Sequence, residues 1–93
     1  EKSGTLSGFY LGQNYPNPFN PQTKISFIIP EQSFVSLKIF NAIGKEVATL
    51  ISAEKSAGNY EVIFNVENIS SGIYFYELTA GDFKSVKKMI LKK

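Results

Sequence analysis

From Phe9 onward the chain is a succession of short runs in which apolar and polar residues alternate, recurring about every 8 to 12 residues with turn residues between them, and this pattern predicts a β-sandwich. Residues two apart share one face of a strand, so each run offers one apolar face to a common core. Ile25, Phe27 and Ile29 alternate with Lys24 and Ser26 until Pro30 stops the run, and Val35, Leu37 and Ile39 alternate with Ser36 and Lys38. Asn41-Ala-Ile-Gly44 predicts a tight hairpin into Glu46 to Ile51, because Asn favours the first turn position and Gly accepts a positive φ. Ser52 to Asn59 reads as a polar loop, followed by a strand carrying Tyr60, Val62 and Phe64. Past the break at Ser70-Ser-Gly72, nearly every position from Ile73 to Thr79 is apolar, which predicts a central strand covered on both faces. Gly81-Asp82 suits a two-residue turn into the last strand, Phe83 to Leu91. Six strands are clear, Phe9 to Gln13 supplies a seventh, and no segment holds a helical period, so an antiparallel all-β fold is expected.

At 93 residues and 43% hydrophobic, the chain has apolar material for one core. It has no Cys, so burial of Phe, Tyr, Ile, Val and Leu has to supply the stability. Residues 1–8 are small and polar and read as the end of a linker from an upstream domain, with residues 9–93 as the folded module. No signal-peptide core or bilayer-length apolar run occurs, so export would depend on a signal upstream in a longer precursor.

The absence of both His and Cys removes the Ser-His-Asp triad, the Cys-His pair and the usual zinc ligand sets. Glu46, Glu54, Glu61, Glu67, Glu77 and Asp82 fall singly on polar faces and loops, where solvated surface charge is the favoured reading over paired acid-base work. The glycines are scattered at turns and build no phosphate loop. Catalytic, cofactor-binding and metal residues are therefore all expected to be none. Every basic residue is Lys and none is Arg, which argues against nucleic acid as a partner. Lys84, Lys87, Lys88, Lys92 and Lys93 crowd the last ten residues with no acid among them. Asn68-Ile-Ser70 matches a glycosylation acceptor but reads as a turn, and Tyr74, Phe75 and Tyr76 read as core packing in preference to a sugar-stacking platform.

The densest signal is Asn14-Tyr15-Pro16-Asn17-Pro18-Phe19-Asn20-Pro21. Proline fixes φ and removes an amide donor, so this stretch is an extended edge or crossover segment and not a mid-sheet strand. Tyr15 and Phe19 are expected to cap one end of the core.

That segment, continuing through Gln22-Thr23 to Ile25-Ser-Phe-Ile-Ile-Pro30, then Val35 to Leu50, Ala57-Gly58, Ser71-Gly72-Ile-Tyr74-Phe-Tyr76 and Lys88-Met-Ile-Leu-Lys92, resembles the type A C-terminal sorting domain of the type IX secretion system. The similarity runs from about Leu11 to the chain end. It implies an immunoglobulin-like sandwich at the C-terminus of a secreted protein of the Bacteroidetes and their relatives, carried to the periplasm and then to the cell surface or medium. It also implies an upstream cargo domain in the same precursor, recognition by the outer-membrane translocon, and a sortase-like cysteine protease that removes the domain. The family's motifs fall on Gly72 and Tyr74, and on Lys88, Met89, Ile90, Leu91 and Lys92, with Lys87 alongside; Lys93 is an extra residue after the usual terminal lysine. A monomer without cofactor is expected.

A terminal strand can present lysines along one edge with Met89, Ile90 and Leu91 toward the core, so a receptor could read backbone edge and charge together. The competing reading makes the lysines gatekeepers against edge-strand aggregation. A further alternative is a carbohydrate-binding or spacer module on a polysaccharide-degrading enzyme, with Phe9 or Tyr10 as surface aromatics.

Overall fold

A computed structural model describes residues 8–66 and 68–93. Seven strands follow in chain order: β1 (Tyr10–Leu11), β2 (Gln22–Ile29), β3 (Ser33–Asn41), β4 (Glu46–Lys55), β5 (Gly58–Asn65), β6 (Gly72–Ala80) and β7 (Phe83–Leu91). They form two antiparallel sheets packed face to face, one ordered β1-β2-β5 and the other β4-β3-β6-β7, which is the sandwich that the alternation predicts, in the immunoglobulin-like form that the resemblance implies. The linker expected at residues 1–8 lies, apart from Gly8, outside the described residues.

Alternation builds the core. Ile25, Phe27 and Ile29 of β2 face Val35, Leu37 and Ile39 of β3 and Tyr74, Tyr76, Leu78 and Ala80 of β6 across the interior, all buried. Phe19 packs against Phe64 with ring centroids 6.2 Å apart, and Phe27 stacks on Tyr60 at 5.2 Å. The β3–β4 turn forms as expected: the Asn41 side-chain oxygen accepts from the amides of Ile43 at 3.1 Å and Lys45 at 2.9 Å, and Gly44 takes φ 89°.

Four expectations are corrected. The polar stretch Ser52 to Asn59 is mostly strand, because β3 needs backbone partners along its whole length and finds them as far as Lys55, opposite Ser33. Polar side chains are tolerated there since β4 is an edge strand. β6 is central in its sheet, between β3 and β7, but only its Tyr74, Tyr76, Leu78 and Ala80 face is fully covered, since no layer lies over the other. The strand expected at Phe9 to Gln13 is only Tyr10 and Leu11 long, with one more backbone bond where the Gly12 amide donates to the Ser26 carbonyl at 2.8 Å. Finally, Phe19 enters the core as expected whereas Tyr15 is 79% exposed, its backbone being tied to Lys24 with the side chain outward.

Candidate functional site

On β7 the period of two decides what each residue of the Lys88 to Lys92 motif can do. Met89 and Leu91 are buried, Ile90 is half-buried and Lys88 is exposed. Consecutive residues of a strand cannot share a face, so Ile90 stands on the outer side with Lys88 and does not join Met89 and Leu91 in the core as expected. Lys87 falls on the inner side, opposite Tyr76 in register, and is half-buried at the sheet margin. Lys92 lies beyond the strand and is exposed.

The backbone edge of this motif is already occupied. Asn14 to Pro21 runs along β7 as a strap: the Phe19 amide donates to the Ile90 carbonyl at 2.9 Å, and the Lys92 amide donates to the Phe19 carbonyl at 3.0 Å. The Asn17 side-chain oxygen accepts from the Ile90 amide at 2.9 Å, and Gln13 Nε2 donates to the Lys88 carbonyl at 2.8 Å. The prolines explain why this is a strap and not an eighth strand, since a chain lacking amide donors cannot sustain a ladder and takes isolated contacts. Phe19 meets Leu91 in a single parallel bridge, and the Tyr15 amide donates to the Lys24 carbonyl at 3.0 Å on the other sheet. The strap therefore closes one edge of the sandwich by touching both layers.

A buried polar cluster holds the strap down. The Tyr76 hydroxyl accepts from the Asn14 amide at 2.7 Å and donates to the Gly12 carbonyl at 2.7 Å. Asn14 Nδ2 donates to Thr23 Oγ1 at 3.0 Å and to the Pro16 carbonyl at 3.1 Å, and Thr23 Oγ1 donates to that same carbonyl at 2.8 Å. Burial pushes the Tyr76 hydroxyl pKa up to about 12. Asn14 is thus placed by its hydrogen bonds, while Pro16, Asn20, Pro18 and Pro21 are exposed. Tyr76, Thr23 and Gln13 escaped sequence reasoning: an apolar-looking Tyr in an apolar strand gives no sign of which distant backbone its hydroxyl meets.

Gly72 and Tyr74 have structural duties at the start of β6. The Tyr74 hydroxyl donates to the Ser70 carbonyl at 2.6 Å, four residues upstream, a tyrosine corner that pins the connection leaving β5. Gly72 takes φ 154°, and a Cβ built there meets nothing within 4 Å. Its requirement for glycine is therefore one of backbone and not of space. Thermal melts should show Gly72→Ala destabilised by about 1–3 kcal/mol, and Tyr74→Phe by about 1 kcal/mol for one lost hydrogen bond. Unchanged melting of both variants would remove these roles.

The lysines are less segregated from acids than the sequence implies. Lys84 reaches Glu77 of β6 at 3.1 Å, a partner only strand pairing supplies, and Lys38 reaches Glu46 at 3.6 Å. Among the described residues no carboxylate lies within ion-pair distance of Lys87, Lys88 or Lys92. Phe9, expected as a surface aromatic, stacks on Phe83 with centroids 5.1 Å apart, whereas Tyr10 is exposed.

Neither a comparison with curated proteins nor one with solved structures gives a significant match. A family model described as the secretion system C-terminal sorting domain matches residues 13–92, from Gln13 at the head of the strap to Lys92 at the end of the lysine motif. The segment that covers the β7 edge and the strand it covers thus lie within one matched unit, and the chain belongs to the secretion system C-terminal sorting domain family, the sorting tails of type IX secretion.

Proposed function

We propose that this type IX sorting domain is recognised by the outer-membrane translocon through the outward side chains Lys88 and Ile90 of its last strand and the exposed Lys92 that follows it. A cargo precursor handled by the secretion system, and export toward the cell surface or medium, follow from the family. Passage through the periplasm and removal by a sortase-like protease are part of the proposal, as is a purely non-catalytic role for the module. The observation that carries it is the strap. Backbone groups at Lys88, Ile90 and Lys92 already bond to Gln13, Asn17 and Phe19, so side chains are what this stretch offers a receptor. Lys88 and Lys92 supply charge, while Lys87 is half-buried on the inner side.

The test is charge reversal in place of truncation. Deleting Lys88 to Lys93 would take buried Met89 and Leu91 out of the core, and an unfolded domain would also fail to sort. Lys88→Glu with Lys92→Glu, in a tagged cargo fused to the domain in a type IX-competent host, should cut surface delivery at least tenfold while the purified domain melts within a few degrees of wild type. Undiminished delivery by the folded double variant would end the proposal.

A further inference from the structure

The outer face of the β4-β3-β6-β7 sheet carries an apolar stripe. Phe40 on β3 stands opposite Phe75 on β6, Phe75 stands opposite Lys88 on β7, and Ile73 stands opposite Ile90. These positions alternate with buried ones on all three strands, so their side chains share the solvent side. Ile73 is 44% exposed, and the stripe leads at one end into an open groove of about 250 Å³ lined by Asn41, Ile43, Gly72 and Ile73 among others. Ile43, at the tip of the β3–β4 turn, is 87% exposed. Its presentation is fixed, because the Asn41 side chain bonds the amides on both sides of the turn.

A contiguous apolar surface beside charged residues marks a contact site. The groove falls short of the roughly 300–1,000 Å³ of small-molecule sites, and its openness suits one anchoring side chain of a protein partner. Charge identifies the rest of the chemistry. Glu46 is engaged by Lys38 at 3.6 Å and by Thr49 at 2.6 Å, and Glu77 by Lys84 at 3.1 Å, so the carboxylates flanking the stripe are already matched. Lys88, beside Phe75, is not matched among the described residues. Glu54, the third acid on this face, stands opposite Phe34 at the far end of β3 from Phe40, so around Phe75 and the groove the surplus is positive. A second copy of the chain would bring the same surplus against itself, whereas an acidic segment would neutralise it.

We propose that this face docks an extended peptide segment of a protein partner carrying a carboxylate next to bulky apolar side chains, with one apolar side chain in the groove beside Ile43 and Ile73 and the carboxylate at Lys88. The inference deepens the function proposed above by giving the partner's chemistry, and it rests on that reading only for the partner's being a secretion component.

The probe is a phage-displayed random peptide library selected on the immobilised domain. The expected result is enrichment of peptides with Asp or Glu within a few residues of Phe, Leu or Ile. The best of these, made synthetically, should lose at least tenfold in affinity on Ile43→Ser and on Lys88→Glu, and should shift the amide resonances of Ile43, Ile73 and Phe75. Both side chains are exposed, so both variants should melt like wild type. No enrichment, enriched peptides without carboxylates, or affinities indifferent to either variant would overturn the proposal. So would concentration-dependent dimerisation abolished by Ile43→Ser, which would give the face to a second copy. The two readings separate cleanly: normal secretion by the charge-reversed cargo alongside variant-sensitive peptide binding sinks only the translocon reading, and the converse pattern sinks only this one.

Discussion

Phe19→Ala is expected to destabilise the domain by about 3–5 kcal/mol, the range for truncating a buried Phe. Phe19 is 2% exposed, and its ring fills the end of the core against Phe64. It is also the residue whose backbone bonds Ile90 and Lys92, so the side chain is the anchor that keeps the strap seated on β7. Small domains hold only about 5–15 kcal/mol in total, so the loss should lower the melting temperature by more than about 12 °C. Hydrogen exchange adds a more specific readout. The Ile90 and Lys92 amides, protected by Asn17 and Phe19, should lose protection well beyond the amides of β3 and β6. Uniform loss across the sandwich would show that the strap and the core unfold together and that Phe19 does not seat the strap separately.

The second large effect is a stability loss at high pH that Tyr76 controls. Its phenol is pushed up to about 12 by burial from the ordinary value of 10. Below pH 10 both folded and unfolded chains keep the proton and the contribution is complete. Between pH 10 and 12 the unfolded chain releases it and the native chain does not, so unfolding gains about 1.4 kcal/mol per pH unit. Above 12 the contribution, about 3 kcal/mol in all, is gone. Tyr76→Phe lacks this dependence, but it leaves the Asn14 amide and the Gly12 carbonyl without their partner, at about 1–3 kcal/mol for each buried group. The variant should therefore be clearly less stable than wild type at pH 8, and urea midpoints should show that gap narrowing as pH rises through 10 to 12. The difference between the two proteins cancels the titration of the other tyrosines and the lysines. A gap that stays constant would mean the phenol is not held protonated by the fold.

Both effects centre on the strap, and the strap shows where local reasoning works. That Asn14 to Pro21 lies outside any regular ladder is legible in its three prolines, because a residue without an amide donor cannot sit mid-sheet. That it lies on β7 is not legible. Asn17 and Ile90 are 73 residues apart, and nothing in either one's surroundings names the other. The tyrosine corner is an intermediate case. Tyr74 and Ser70 are four residues apart, so the contact is local, but its direction depends on how the chain turns as it leaves β5.

By itself the sequence determined the strand periodicity, the Asn41 to Gly44 and Gly81-Asp82 turns, the lack of His and Cys, and the motifs that match the sorting family from Gln13 to Lys92. Side-chain period and turn chemistry are properties of a few adjacent residues, which is why they can be read in one dimension. Tertiary structure alone decided that β4 runs on through polar residues, that Glu77 meets Lys84, that Tyr76 holds Asn14, and that the chain edge from Lys88 to Lys92 is closed while its outer face stays open. Strand order and edge occupancy depend on which backbones meet after the chain has folded, and period two says only which side chains share a face, never which strand lies beside it.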